Sequence, residues 1–93
     1  MIAVPAGQTM QTGYVPIEDV IVRVGGAHLL YPAEVERAYR RLLEVGEGSQ
    51  EWPCPWGEFR EDGRFVLKDG RNRYVAALML GYRELLVAWI EDA

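Results

Sequence analysis

The chain has 93 residues, 49% of them hydrophobic, and a net charge of −4. This length supports one domain, residues 1–93, with a real but modest core, and is too short for two. The acidic balance argues against a surface built to coat nucleic acid, which needs many Lys and Arg contacts to phosphate; direct DNA binding is not expected, although a local basic pocket stays open.

Cys54 is the only cysteine, so no internal disulfide is expected. No apolar run is long enough for a bilayer, and the start lacks the basic and apolar segments of a signal peptide. The expectation is a soluble cytoplasmic protein with no membrane segment.

In chain order, "MIAVPAGQTMQT" is mildly apolar, punctuated by Pro5 and Gly7, and reads as a short strand or an arm. Val20, Ile21, Val22 and Val24 have strand character, with Pro16 restricting the start to an edge or turn. Gly25-Gly26 is a break. "YPAEVERAYRRLLEVGEG" is the clearest helix. Pro32 suits its first turn, Val35, Ala38, Tyr39, Leu42 and Leu43 form one apolar stripe, and Gly46 is a C-cap. Glu34 and Glu36 lie early and Arg40 and Arg41 late, as the helix dipole prefers. The glutamates could instead act as bases or hold Mg²⁺.

Pro53 and Pro55 forbid a central strand in "EWPCPWGEF". Asp62-Gly63 reads as a two-residue hairpin turn between "GEFRE" and "RFVL", and Phe65, Val66 and Leu67 run without alternation, as in a strand covered on both faces. The next helix starts at Asp69 or Gly70, with Asp69 as a cap and Asn72 near a capping-box position. Tyr74, Ala77, Leu78 and Gly81 share one face, widened by Val75 and Met79, so this helix is expected to be mostly buried and to end at Gly81. "ELLVAWI" closes as a strand. The order strand, helix, hairpin, helix, strand is an α+β domain.

Asp69, Gly70, Arg71, Asn72 and Arg73 are the candidate ligand residues. A helix N-terminus presents unpaired N–H groups and partial positive charge, attracting phosphate or carboxylate. Gly70 lets backbone approach the anion, Arg73 offers a bidentate contact, and Arg71 can close over it. The alternative is an ordinary connection whose arginines are solvated or paired with Glu; pattern alone does not separate the two.

His28, the only histidine, precedes the first helix and could line the same site, although a lone His is more often a surface or capping residue. Cys54 in "WPCPW" lacks the electropositive setting of a reactive thiol, given Glu51 and Glu58 nearby. The loop reads foremost as packing. A binding surface, or Trp52 or Trp56 stacked on a base, are the other readings. No cluster with metal-ligand character is evident, so no metal site is assigned.

"VPIEDVIV", a helix and "FVLKDGRNRYVAALMLGYRELLVAWI" together resemble the ParB N-terminal and sulfiredoxin-like superfamily. The resemblance implies a small ParB/sulfiredoxin-like domain with a mixed sheet and two main helices. It also implies that the Gly-x-x-Arg turn, Gly70 to Arg73, binds nucleotide phosphates, as ParB proteins do with CTP and sulfiredoxins with ATP.

Arg71 stands where sulfiredoxin has its catalytic cysteine, so that chemistry is not expected. ParB's Gly-Glu-Arg-Arg is here Gly-Arg-Asn-Arg, which departs from the CTP-specific and hydrolytic pattern. The resemblance stops at the final strand, before ParB's DNA-binding and dimerisation regions.

The expected function is binding of a nucleotide or other phosphate-bearing ligand, a nucleotide with Mg²⁺ being the candidate cofactor, with turnover open. The alternative is a protein-interaction domain that keeps the fold and pairs through the Trp-rich loop or a sheet edge, as a homodimer or with another protein.

Overall fold

A computed structural model describes residues 6–22, 31–48 and 52–92. The elements are β1 (Gln8–Pro16), a 3-10 turn (Ile17–Asp19), β2 (Val20–Val22), α1 (Pro32–Val45), β3 (Trp56–Phe59), β4 (Phe65–Asp69), α2 (Arg71–Met79) and β5 (Glu84–Asp92). The five strands form one mixed sheet in the order β1-β5-β3-β4-β2. β1 and β5 pair antiparallel along their whole length, from Gln8 opposite Asp92 to Pro16 opposite Glu84. β3 and β4 are an antiparallel hairpin, β2 lies parallel to β4, and β3 meets β5 in parallel at Trp56 and Ala88. The fold is α+β, as the order of elements predicts.

The core joins the sheet to both helices. Val15, Phe65, Leu67, Leu85 and Val87 from the strands meet Leu42 of α1, Ala77 of α2 and Trp52. Full burial of a side chain such as Leu42 or Phe65 stabilises the fold by about 1.5–3 kcal/mol. Phe65, Val66 and Leu67 are all buried, so the unalternating run is a strand enclosed on both faces, flanked by β3 and β2. Phe59 sits edge-on to Phe65 and to Trp89, at centroid distances of 5.1 and 5.0 Å.

Several expectations change in detail. The N-terminal segment is neither short nor an arm, because its register against β5 continues for nine residues. On α1, Leu43 faces solvent and Val45 packs against the core instead. The spacing Val35, Ala38, Leu42, Val45 keeps to one face of a 3.6-residue helix, whereas Leu43 lies about 100° away from Leu42.

α2 is only half buried. Ala76 and Ala77 are enclosed and Tyr74 packs against the core, but Leu78 and Met79 are exposed. The hairpin loop spans residues 60–64 rather than two residues. It is closed by Arg60 N–H donating to Arg64 O (2.7 Å) and Gly63 N–H donating to Arg60 O (3.0 Å). Asp62 accepts from the Arg64 amide at 3.0 Å, and these bonds to Arg64 hold its carboxyl below the usual range.

Gly57 lies at the irregularity where β3 shifts register against β4. A Cβ there would fall on the Val66 carbonyl oxygen and stand 3.0 Å from the Phe65 ring. Since these neighbours are backbone and a fully buried ring, Gly57→Ala should destabilise the domain by about 3 kcal/mol or more. Gly63→Ala, at an exposed turn whose Cβ would meet nothing within 4 Å, should cost less despite its positive φ of 87°. Urea unfolding of the two variants checks the order.

Candidate functional site

The buried run of β4 ends at Leu67, the strand continues through exposed Lys68 and Asp69, and the chain reverses at Gly70 to enter α2. Gly70 adopts φ 99°, a left-handed conformation that L side chains rarely take. A Cβ there would stand 2.7 Å from both Cα and Cβ of Pro55. Only glycine meets both constraints. Pro55 is itself buried, and its carbonyl accepts the Ala88 amide at 2.9 Å, so the turn rests on a loop tied to β5.

Gly70, not Asp69, occupies the N-cap position, and no side chain caps the helix. Asp69 belongs to the end of β4 because its backbone continues the ladder opposite Trp56. The first helical bond runs from the Tyr74 amide to Gly70 O at 2.9 Å. The amides of Arg71, Asn72 and Arg73 therefore have no acceptor within the helix, and point outward with the positive end of the helix dipole.

Asn72 and Arg73 line a groove of 870 Å³ whose opposite wall is α1 and whose floor includes Trp52 and Pro53. Arg73 is a quarter exposed, and its Nη2 lies 3.8 Å from Asp69 Oδ2, whose side chain is 68% exposed. That pair is long and largely in water, so it holds Arg73 weakly. Arg71 does not line the groove and has no ion pair to a described residue. His28 lies outside the described residues.

Across the groove, Arg37 and Arg40 pair on their own helix with Glu34 (3.1 Å) and Glu36 (2.7 Å), and Arg41 lies 3.9 Å from Glu44, a pair as long as that of Arg73 and Asp69. Exposed pairs of this kind add only about 0.3–0.5 kcal/mol each, but they leave the α1 wall balanced in charge. Glu34 and Glu36 are engaged by arginine rather than grouped with other acids. Among the described residues no three of His, Cys, Asp or Glu are grouped to share a metal ion. Among the described residues, too, no helix is long and apolar enough to cross a membrane.

Cys54 is half-buried behind this turn. Burial, then the Glu47 carboxylate, push its thiol up, against a smaller pull from Arg73. It therefore stays protonated at neutral pH and is a poor nucleophile.

Glu47 follows the Gly46 cap of α1, and its Oε2 accepts the Leu86 amide at 2.9 Å. Partial burial raises its carboxyl, and the Leu86 bond offsets only part of that. Sequence reasoning missed Glu47, since nothing in "VGEG" marks a residue that reaches β5. It also treated Trp52 and Trp56 alike, whereas Trp52 is buried in the core and Trp56 is half-buried at the start of β3.

No family model matches the chain, and no curated protein matches it. Among solved structures, the chain is similar to the C-terminally truncated chromosome-partitioning protein ParB from Caulobacter crescentus, complexed with CTP-gamma-S. The likeness has a TM-score of 0.66 at 16% sequence identity, and covers 89% of this chain and 45% of that one. It shows a ParB-like fold. This chain spans less than half the length of that structure.

The electrostatics around Glu47 give a pH signature. With its folded pKa above the unfolded value near 4.5, Glu47 favours the fold fully below that value, and the contribution is lost as pH rises through the raised folded pKa. Gln does not titrate and keeps an acceptor for Leu86. The melting temperature of Glu47→Gln should thus gain on the parent as pH rises from about 4 to about 7, in thermal melts at matched ionic strength. A difference independent of pH would contradict this.

Proposed function

We propose, taking the ParB-like fold as the starting point, that this domain binds a nucleotide or another phosphate-bearing ligand at the amino end of α2. The observation that carries the reading is the uncapped, left-handed entry into α2 at Gly70, which presents three successive free amides beside a weakly held arginine. Amides aligned with a helix dipole take phosphate oxygens without rearrangement, and the Arg73 guanidinium adds two charge-assisted donors in a fork. Gly70, Asn72 and Arg73 are the phosphate-side residues in this reading, with Asp69 as the counter-ion that Arg73 leaves on binding. Arg71, next to them on the turn, closes over the anion in this reading.

The ParB structure to which the chain is similar holds CTP-gamma-S, which supports a nucleotide as the first ligand to test. The reading assigns binding and leaves turnover open. Arg71 stands in place of the sulfiredoxin cysteine, and the chain's own thiol is kept protonated.

A second reading, assembly through a sheet edge, draws on one observation. β1 is an outer strand of the sheet, and residues 8–15 carry no charged side chain to discourage pairing with another strand. The Trp-rich loop is a poorer surface for it, since Trp52 is enclosed.

A ligand at about 100 times its Kd stabilises the native state by about 2.7 kcal/mol. For a domain of this size that raises Tm by roughly 10 °C or more. Thermal melts across nucleoside di- and triphosphates, with and without Mg²⁺, should show such a rise. Arg73→Ala should abolish it while leaving the unliganded melt within a few degrees. No shift at millimolar concentrations across the panel contradicts the proposal. Sedimentation across a concentration series tests the second reading, which expects a dimer weakened by a Thr12→Lys charge on β1.

A further inference from the structure

Among the described strands, β1 and β2 lie at the edges of the sheet. β2 is three residues long, a short edge that discourages pairing, whereas β1 runs for nine. The hydrogen bonds of β5 identify which backbone groups of β1 are unused. The Leu86 amide donates to Glu47 Oε2 and the Ala88 amide to Pro55 O, both at 2.9 Å, so neither serves the ladder with β1. Their ladder partners are Tyr14 and Thr12. Residues opposite each other in an antiparallel pair exchange either both bonds or none. Tyr14 and Thr12 exchange none, and their N–H and C=O groups point to the free edge. Alternation adds Met10, opposite Ile90. Among the described residues, no other strand or backbone group meets these three.

The side chains follow the same alternation. Val15 packs in the core and Gly13 lies against the Trp89 ring. Met10 and Tyr14 point to the opposite face and are 49% and 59% exposed. Residues 8–15 carry no charge, and the first acidic residues, Glu18 and Asp19, come just after the strand ends.

We propose that β1 pairs with β1 of a second copy of this chain, antiparallel about a two-fold axis at Thr12, joining the two sheets into one. This rests on the sheet-edge reading and fixes its partner and its register. A second copy fits because the three outward residues are spaced evenly about Thr12. With Thr12 opposite its own counterpart, Met10 of each copy falls opposite Tyr14 of the other, and all three exchange bonds at once. A shifted register leaves at least one of the three without a partner among them. Threonines opposite each other hydrogen-bond, and a thioether against a phenol ring is a favourable contact. Two chains of charge −4 thus meet along a segment where neither carries charge.

The contact is one strand wide. A nine-residue edge is about 30 Å long. One strand against another falls in the small class of interfaces, below about 1,200 Å². The dimer is therefore weak and reversible, and depends on concentration.

Sedimentation of the intact chain from about 10 μM to about 1 mM should show a monomer converting to a dimer. Thr12→Pro removes one outward N–H and no bond to β5, a change that edge strands accept. It should raise the dimer Kd by roughly tenfold or more, for the bond lost from each copy, and leave the melt of the dilute chain within a few degrees. If proline disturbs the strand, Thr12→Lys keeps the backbone and sets two like charges across the axis, with the same expected loss of dimer. Mild oxidation reads the register. Thr12→Cys should cross-link to itself, since bond-exchanging residues lie about 5.5 Å apart, within reach of a disulfide. Met10→Cys and Tyr14→Cys should cross-link when mixed and not separately, with the parent chain and its Cys54 as the control.

A dimer that survives both Thr12→Pro and Thr12→Lys, or in which Thr12→Cys does not cross-link, overturns this inference and leaves assembly through another edge or register standing. A chain still monomeric at about 1 mM overturns the self-pairing. It overturns the sheet-edge reading as well, unless an extended peptide of other sequence slows exchange of the Met10, Thr12 and Tyr14 amides, in which case the edge serves a different protein.

Discussion

The contact between Gly70 and Pro55 governs the entry into α2, where the proposed site lies. Phe65, Val66 and Leu67 of β4 are buried and cannot move without opening the core. Pro55 is fixed to β5 through its carbonyl. The chain leaving β4 has to turn in the space between them, and only a residue without Cβ at positive φ does so. That turn sets where α2 starts, which amides are left free, and which side chains of its first turn meet Trp52 and α1. The proposed site is thus a consequence of core packing, built from backbone already held in place, and a ligand bound there would meet preorganised donors.

Charge is arranged to the same end. The chain is acidic overall, and the arginines of α1 are each answered by a glutamate one turn away. Arg73 has its own carboxylate one turn away, Asp69 at 3.8 Å, a separation like that of Arg41 and Glu44 at 3.9 Å. A domain with net negative charge repels free anions at long range. An anion bound at the proposed α2 site would therefore be held by short-range donors, and salt should affect its affinity less than on a basic surface.

Much of this was legible in the sequence. Apolar spacing marked α1, the unbroken Phe65-Val66-Leu67 run marked an enclosed strand, and Gly70 with Arg73 marked the turn. These signals are local, and local sterics decide them. What the sequence withheld depends on distant partners. The length of β1 follows from its register with β5, and the exposure of Leu78 and Met79 from the face of α2 that Tyr74, Ala76 and Ala77 turn inward. The separate fates of Trp52 and Trp56 follow from where "WPCPW" packs. Asp69 looked like a cap because its type suits one, but pairing with Trp56 across the β-ladder holds it in the strand.

The β1–β5 ladder has a kinetic side. It joins the first described strand to the last, with both helices and the β3–β4 hairpin between them. Such a pairing closes the longest loop in the domain, and that entropy is lost before any of its bonds reward it. The hairpin and the helices can organise early, whereas β1 has to wait until β5 has formed. During synthesis the opening strand thus stays unpaired until almost the entire domain has left the ribosome. In the finished fold β1 leans on a single neighbour among the described strands, which makes it the natural first segment to detach, and its amides the first to exchange with solvent.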